Sequence, residues 1–276
     1  MTEPARDELA GDTEFDRGTA LVRTADNTFR GAIDAGWYIV GSANGGYVAS
    51  VVLRALVDTI ADPERPVRSL TVHYLRPAVA GPVEIETTVE RAGRSLSTAS
   101  ARATQDGRPI AVALAAFATA RPAPLEFEDT APPDISEPAD TPEYPGAPQD
   151  PPIVGRMAYR HHYLADLFSG AEHAAFEAWM RLRQPRPVDA VLLATLADAA
   201  VPAIFLRATA PLIATTVDLT VHFRQPPGPG YDGWCLGRFR SQLARDGLVE
   251  EDGEIYDEQR RLLAQSRQLA IMVPMG

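Results

Sequence analysis

The sequence predicts an α+β fold built twice over: two antiparallel sheets, each wrapping one central helix, joined into one continuous sheet. Three observations carry this expectation. The same order of elements, strands then one helix then four strands, occurs on either side of a proline-rich acidic stretch. The second helical segment is apolar on nearly every side, which is the pattern of a buried helix, and the first carries apolar residues at helical spacing with Arg54 as its only charge before Asp58. Short sequences also recur in order at a nearly constant offset. Thr71-Val72-His73-Tyr74 returns 149 residues later as Thr220-Val221-His222-Phe223, followed by Pro77 and Pro226 respectively, and Arg108-Pro109-Ile110-Ala111 returns 153 residues later as Arg261-Leu262-Leu263-Ala264. A period near 150 is too long for a solenoid repeat and means a duplicated domain.

Taken in order, residues 1 to about 12 are polar and are expected to fray. Thr19–Arg23 and Thr28–Ile33 read as short strands around a turn. Asn44 is a suitable N-cap for a helix running from Gly45 and Gly46 through YVASVVLRALVDTI, apolar at Val48, Val51, Val52, Ala55, Leu56 and Ile60. The two glycines permit another backbone to approach closely. Strands follow at Arg68–Leu75, Val83–Arg91, Ser95–Gln105 and Pro109–Thr119, the last two joined across Asp106-Gly107, a strong hairpin signal. Arg121–Pro152 holds ten of the 24 prolines and eight acids against one arginine, so an extended linker without its own core is expected. Beyond it, Tyr159–Tyr163 and Ala174–Leu182 read as strands, and Val188–Phe205 holds the second helix. Strands at Ile213–Phe223, Gly233–Gln242, Leu248–Tyr256 and Arg261–Val273 complete the pattern. The expected domains are 1–120 and 156–276, with 121–155 as linker and the polar site in the second.

Composition narrows the function. All 26 basic residues are arginine, which excludes Schiff-base chemistry and a lysine phosphate loop. A net charge of −11 argues against a nucleic-acid partner. No apolar run is long enough to span a membrane, no signal sequence opens the chain, and the single cysteine, Cys235, forms no internal disulfide; a cytoplasmic protein is expected. There is no G-x-S-x-G elbow and no G-x-G-x-x-G after a strand, so neither an α/β-hydrolase nor a nucleotide cofactor is supported. His161, His162 and His173 match no metal-ligand spacing, and no metal or cofactor is expected. His73 and His222 occupy matching repeat positions and read as structural. Arg76 and Arg94 are solvated charges by default.

Asp198 stands out because it lies inside the apolar run VDAVLLATLADAAVPAIF. A carboxylate there is costly to desolvate unless it is paired. Pro202 ends or kinks the helix just after Asp198. The negative end of a helix and burial would both raise the acid's pKa toward the range of a useful general base. The competing reading is a solvent-facing or salt-bridged aspartate.

A long buried helix wrapped by an antiparallel sheet, doubled in one chain, is the hot-dog fold in tandem. The chain resembles the double hot-dog acyl-CoA thioesterases of the acyl-CoA thioesterase II type. The resemblance rests on Gly45-Gly46, on Ser69-Leu70-Thr71-Val72-His73-Tyr74-Leu75-Arg76-Pro77 and on Gln105-Asp106-Gly107-Arg108-Pro109-Ile110 in the first half. In the second half it rests on Leu192-Leu193-Ala194-Thr195-Leu196-Ala197-Asp198, Ala214-Thr215-Thr216-Val217-Asp218 and Ala264-Gln265-Ser266-Arg267-Gln268. It implies hydrolysis of fatty acyl-CoA by an activated water, with Asp198, Thr216 and Gln268 as the catalytic set and no covalent intermediate. Relatives of this fold usually associate further, so a homo-oligomer is implied. Backbone amides at Gly45, Gly46 or Tyr47 are candidates for binding the substrate carbonyl.

The repeat adds an independent argument. Asp198 aligns with Leu53 and Gln268 with Ala115, so the first half is apolar where the second is polar. Strict alternation from Val217 through Phe223, however, turns Thr216 to the outer face. Either the strand begins after Thr216, or a bulge re-aims it, or Thr215 takes its place. A hydratase of the same fold would need an Asp/His pair on the first strands and helix, and none is seen. A non-catalytic acyl or acyl-CoA binding protein is the alternative from another class.

Overall fold

The computed structural model describes residues 13–162, 167–225 and 227–275. The expected frayed tail, Tyr163 and Pro226 lie outside the described residues. In the first half, α1 (Glu14–Gly18), β1 (Val22–Ala25) and β2 (Thr28–Ile33) precede α2 (Gly45–Ile60) and the strands β3 (Val67–Tyr74), β4 (Gly81–Ala92), β5 (Leu96–Gln105) and β6 (Arg108–Ala118). In the second, β7 (Met157–Arg160) and β8 (Ala174–Leu182) precede α3 (Ala190–Leu196) and α4 (Ile204–Arg207). The strands β9 (Leu212–Phe223), β10 (Cys235–Ser241), β11 (Ala244–Arg245), β12 (Leu248–Tyr256) and β13 (Leu262–Pro274) close the chain.

Among the described residues all strands form one antiparallel sheet in the order β1-β2-β4-β5-β6-β3-β9-β13-β12-β10-β8-β7, with β11 on β12. The second six mirror the first six, and the seam is the β3–β9 pair. There Thr71 lies opposite Thr220, and their hydroxyls meet at 3.0 Å. The helices make the same kind of contact, Ser50 Oγ to Thr195 Oγ1 at 2.7 Å. Each pair joins a residue to its own repeat counterpart. Such self-matching contacts define a local two-fold axis, which here relates the two hot-dog halves. Joining at the seam also removes one edge from each sheet.

Helix α2 forms as its sequence predicts. Asn44 Oδ1 accepts from the Tyr47 amide at 2.9 Å, and Tyr47, Ala49, Leu53, Ala55 and Leu56 have no exposure at all. Helix α3 is shorter than the apolar run suggested. It stops at Leu196, and the Asp198 and Ala199 amides bond three residues back, to Thr195 and Leu196. Asp198 therefore sits in a tightened turn beyond the helix, not within it. The turns at Asp106-Gly107 and Asp246-Gly247 have positive φ at both residues, the geometry that Asp-Gly suits in a two-residue hairpin.

The acidic segment has no strand or helix from 121 to 137 and short 3-10 turns at Pro138–Asp140 and Pro152–Gly155, and it is not detached. It lies against the outer face of the second half's sheet. Trp179 Nε1 donates to the Ser136 carbonyl at 2.9 Å and Arg260 Nη2 to the Ile135 carbonyl at 2.8 Å. Ile135 packs on a small cluster of Ala158, Trp179, Trp234, Leu236, Tyr256 and Leu262.

Candidate active site

A cavity of about 530 Å³ opens between the halves. Its walls are mostly apolar, with Ile39, Val40, Leu75 and Ile110 from the first half and Phe168, Ile204, Phe205 and Leu212 from the second. Asp198, Thr216, Gln268 and Glu251 border it together. Thr216 Oγ1 donates to Gln268 Oε1 at 2.9 Å. Gln268 Nε2 donates to Glu251 Oε1 at 2.8 Å, and the Gln268 amide also favours the charged form of Asp198. The three residues singled out from the sequence are thus brought to one place.

The face of Thr216 is settled by a bulge. Asp218 pairs with Leu269 and Thr216 with Ala270, so Val217 is an extra residue in β9. An extra residue reverses the alternation, and Thr216 turns toward Gln268 while Thr215 is exposed at the cavity border. The same irregularity occurs in β3, where Arg68 is skipped between Val67 and Ser69. Arg68 and Val217 are repeat counterparts at the Thr71–Thr220 offset, so the bulge belongs to the duplicated scaffold.

Asp198 is held by the first half of the chain. Its Oδ2 accepts from the Gly46 amide at 2.9 Å and from Asn44 Nδ2 at 3.0 Å, and Asn44 Nδ2 also reaches the Asp198 carbonyl at 2.7 Å. The polar side chains lie in the second half, but their acid is anchored at the N-terminus of α2 in the first. This corrects the electrostatic argument. The nearest strong helix end is the positive one of α2, which lowers the acid's pKa, while seven-residue α3 contributes little. Burial still dominates and raises Asp198 from 3.8 to about 6, against the lowering effects of Gly46, Gln268, Asn44 and Gly45.

The three amides expected to meet a substrate are engaged inside the protein. Gly46 serves Asp198, Tyr47 caps on Asn44 Oδ1, and the Gly45 amide also acts on Asp198. Gly45 borders the cavity, whereas the Tyr47 ring is fully buried and stacked on Trp37 at 5.3 Å. The glycines also allow the close approach expected of them. A Cβ at Gly46 would lie 2.6 Å from the Thr195 carbonyl oxygen, and one at Gly45 would lie 2.9 Å from Asp198 Oδ2. Tyr74 seals this wall by donating to the Gly45 carbonyl at 2.7 Å. Arg76 reaches the cavity rim, its Nη1 bound to the Pro109 carbonyl at 2.7 Å.

Glu251 was not singled out from the sequence. It is 8% exposed, and its Oε2 accepts from the Ala203 amide at 2.6 Å. The available signal was its phase on the strand, between inward-facing Val249, Gly253 and Ile255.

Comparison with known proteins agrees with this architecture. Residues 33–118 match the acyl-CoA thioesterase N-terminal domain, and residues 129–272 match the acyl-CoA thioesterase C-terminal domain. The chain belongs to the acyl-CoA thioesterase family. As a thioester hydrolase of double hot-dog fold, it resembles solved structures along almost its whole length. A hot-dog protein of unknown function from Alicyclobacillus acidocaldarius is 29% identical with a TM-score of 0.85, covering 96% of this chain and 100% of that one. A proposed thioesterase II from Thermobifida fusca is 28% identical with a TM-score of 0.81, covering 95% and 98%. An acyl-CoA thioesterase II from Mycobacterium marinum, 24% identical with a TM-score of 0.76 over 95% and 99% of the two chains, shares the fold. No curated protein sequence matches this chain. Among the described residues no helix is long and apolar enough to cross a membrane.

Proposed function

We propose that this thioesterase hydrolyses fatty acyl-CoA to free acid and CoA by direct attack of a water held by Asp198, Thr216 and Gln268, with no covalent intermediate. The observation that carries the reading is the carboxylate of Asp198 on the wall of an apolar cavity, raised to about 6 and bordered by a hydrogen-bonded Thr216–Gln268 pair. An acid of that pKa is ionised at neutral pH yet basic enough to take a proton in the transition state. Since Asp198 Oδ2 is already held by Gly46 and Asn44, Oδ1 is the oxygen assigned to the water. Thr216 uses its proton on Gln268, so its lone pairs remain to accept from that water. The apolar walls suit an acyl chain. In this reading the chain divides into units 1–120 and 156–276 joined by 121–155, with Asn44 and Gly46 of the first unit fixing the acid of the second.

The test is thiol release from acyl-CoAs of graded chain length, with Asp198→Asn alongside. Turnover in the parent that is lost in the variant supports the reading. Saturable acyl-CoA binding without turnover in the parent would replace it with a non-catalytic acyl-CoA binding protein.

A further inference from the structure

The cavity holds a second buried acid that the water-activating set does not use. Glu251 on β12 stands directly across from Gln268 on β13. Its counterpart follows from the same cross-strand pairing in the first half: Gln268 corresponds to Ala115, and Ala115 pairs with Ala99. Ala99 is fully buried. Glu251 is thus polar only in the half that carries Asp198, Thr216 and Gln268, as those three residues are.

Its bonds suggest why. An ionised carboxylate only accepts hydrogen bonds, whereas a glutamine amide donates from one end and accepts at the other. Glu251 spends Oε2 on the Ala203 amide and presents Oε1 to Gln268 Nε2. The Gln268 amino group therefore lies against two acids, Glu251 and Asp198, and its Oε1 faces Thr216. Turned by half a rotation, Oε1 would meet carboxylate oxygens with no proton between them. Thr216 would then have to accept from Nε2 rather than donate.

We propose that Glu251 is a positioning residue: by accepting from Gln268 Nε2 it holds the amide in the one orientation that makes Thr216 a donor and leaves the Thr216 lone pairs for the attacking water. The inference rests on the water-activating reading of this site. Burial raises the Glu251 carboxyl to about 7, with Asp198 and Glu250 adding to the rise, so assays at about pH 8.5 keep it in its charged form.

The experiment is a double-mutant cycle read by single-turnover and steady-state thiol release from an acyl-CoA, using Glu251→Gln, Gln268→Ala and both together. An amide at 251 has one accepting end. Keeping the Ala203 amide paired then turns an amino group toward Gln268 and reverses that side chain. The expected result is a kcat loss on the order of ten- to a hundredfold, as for a misaligned catalytic group, with KM unchanged. The loss disappears when Gln268 is already alanine, because non-additivity marks a residue that acts through another. A Glu251→Gln enzyme that turns over like the parent overturns the inference, and so does a loss of equal size in the Gln268→Ala background. If Glu251→Gln does not fold, Glu251→Asp, which draws the carboxylate back by one methylene, takes its place with the same expectations. Asp198→Asn separates the two levels. Should that variant keep full turnover, the water-activating reading fails and this inference with it. Should it lose turnover while Glu251 proves indifferent, only the inference falls.

Discussion

Replacing Asp198 by asparagine should remove turnover and stabilise the protein. Burial raises this acid from 3.8 to about 6. Between those values the folded state binds a proton that the unfolded state has released. Stability of the parent therefore falls as pH rises through this window and stays lower above it. At about 1.4 kcal/mol per pKa unit, the charged acid costs the fold about 3 kcal/mol at pH 8. Asparagine carries no charge at any pH, and its carbonyl oxygen still accepts from the Gly46 amide and Asn44 Nδ2 that now hold Oδ2. Its amino group meets the Gln268 amide less well than a carboxylate does, so the gain is up to, rather than equal to, that figure. Urea unfolding of parent and variant from pH 4 to pH 8 reads it. Glu251 titrates in both proteins, but part of its rise comes from Asp198, so the difference between the two curves reports Asp198 together with that coupling. The expected difference is near zero at pH 4 and grows to about 2–3 kcal/mol in favour of the variant at pH 8. A variant no more stable than the parent at pH 8, or a difference that does not change with pH, refutes the argument that this carboxylate is held at a cost to the fold for the sake of chemistry.

Three further outcomes follow from the same geometry. On the proposed mechanism the charged form of Asp198 is the active one, so kcat/KM should rise with pH through about 6 and be lost below it, with the titration of Glu251 near 7 adding to the rise, measured by thiol release across pH 4.5 to 8. Asn44→Ala removes an N-cap and both of its bonds to Asp198. It should cost roughly 1–3 kcal/mol in urea unfolding and move the rising limb of that pH profile to higher pH, since a donor favouring the charged acid is gone. Gly46→Ala places a methyl carbon 2.6 Å from the Thr195 carbonyl oxygen and 2.8 Å from that of Ala194, both backbone atoms that cannot step aside. Destabilisation of about 3 kcal/mol or failure to fold is expected, with a circular-dichroism melt as the measurement.

The first helix and the meander were legible because their signals are local. Asn44 caps, apolar residues recur at helical spacing, and Asp106-Gly107 turns. The second helix was legible as a buried element but not in extent. Pro202 signals an end just after Asp198, whereas α3 stops at Leu196 and the chain closes with bonds three residues back. Thr216 was read with its face open because a bulge is a property of two strands and not of one. Glu251 was hidden for a different reason. Glu250-Glu251-Asp252-Gly253-Glu254 reads as a solvated acidic strand, and its phase with Val249, Gly253 and Ile255, together with the register beside Gln268, separates the buried acid from its neighbours.

The two-fold axis explains why one site suffices. At repeat-equivalent places, Asp198, Thr216, Glu251 and Gln268 stand where the first half has Leu53, Val67, Ala99 and Ala115, none more than 5% exposed. The difference extends to the cap. Asn44 offers a donor from Nδ2 to Asp198, whereas its counterpart Asp189 has only acceptors, one spent on the Leu192 amide at 2.8 Å and both on Arg186. A second acid placed at Leu53 would find a carboxylate at the facing cap instead of an amide. Each buried carboxylate costs the fold energy, so duplication offers a route to afford one: the copy without the site supplies a fully apolar core and a donor-bearing helix start, and the other spends that stability on a charged cavity wall. On this argument Leu53→Asp should be far more destabilising than Asp198→Leu, although the two positions are related by the same axis, and paired unfolding curves of the two variants decide it.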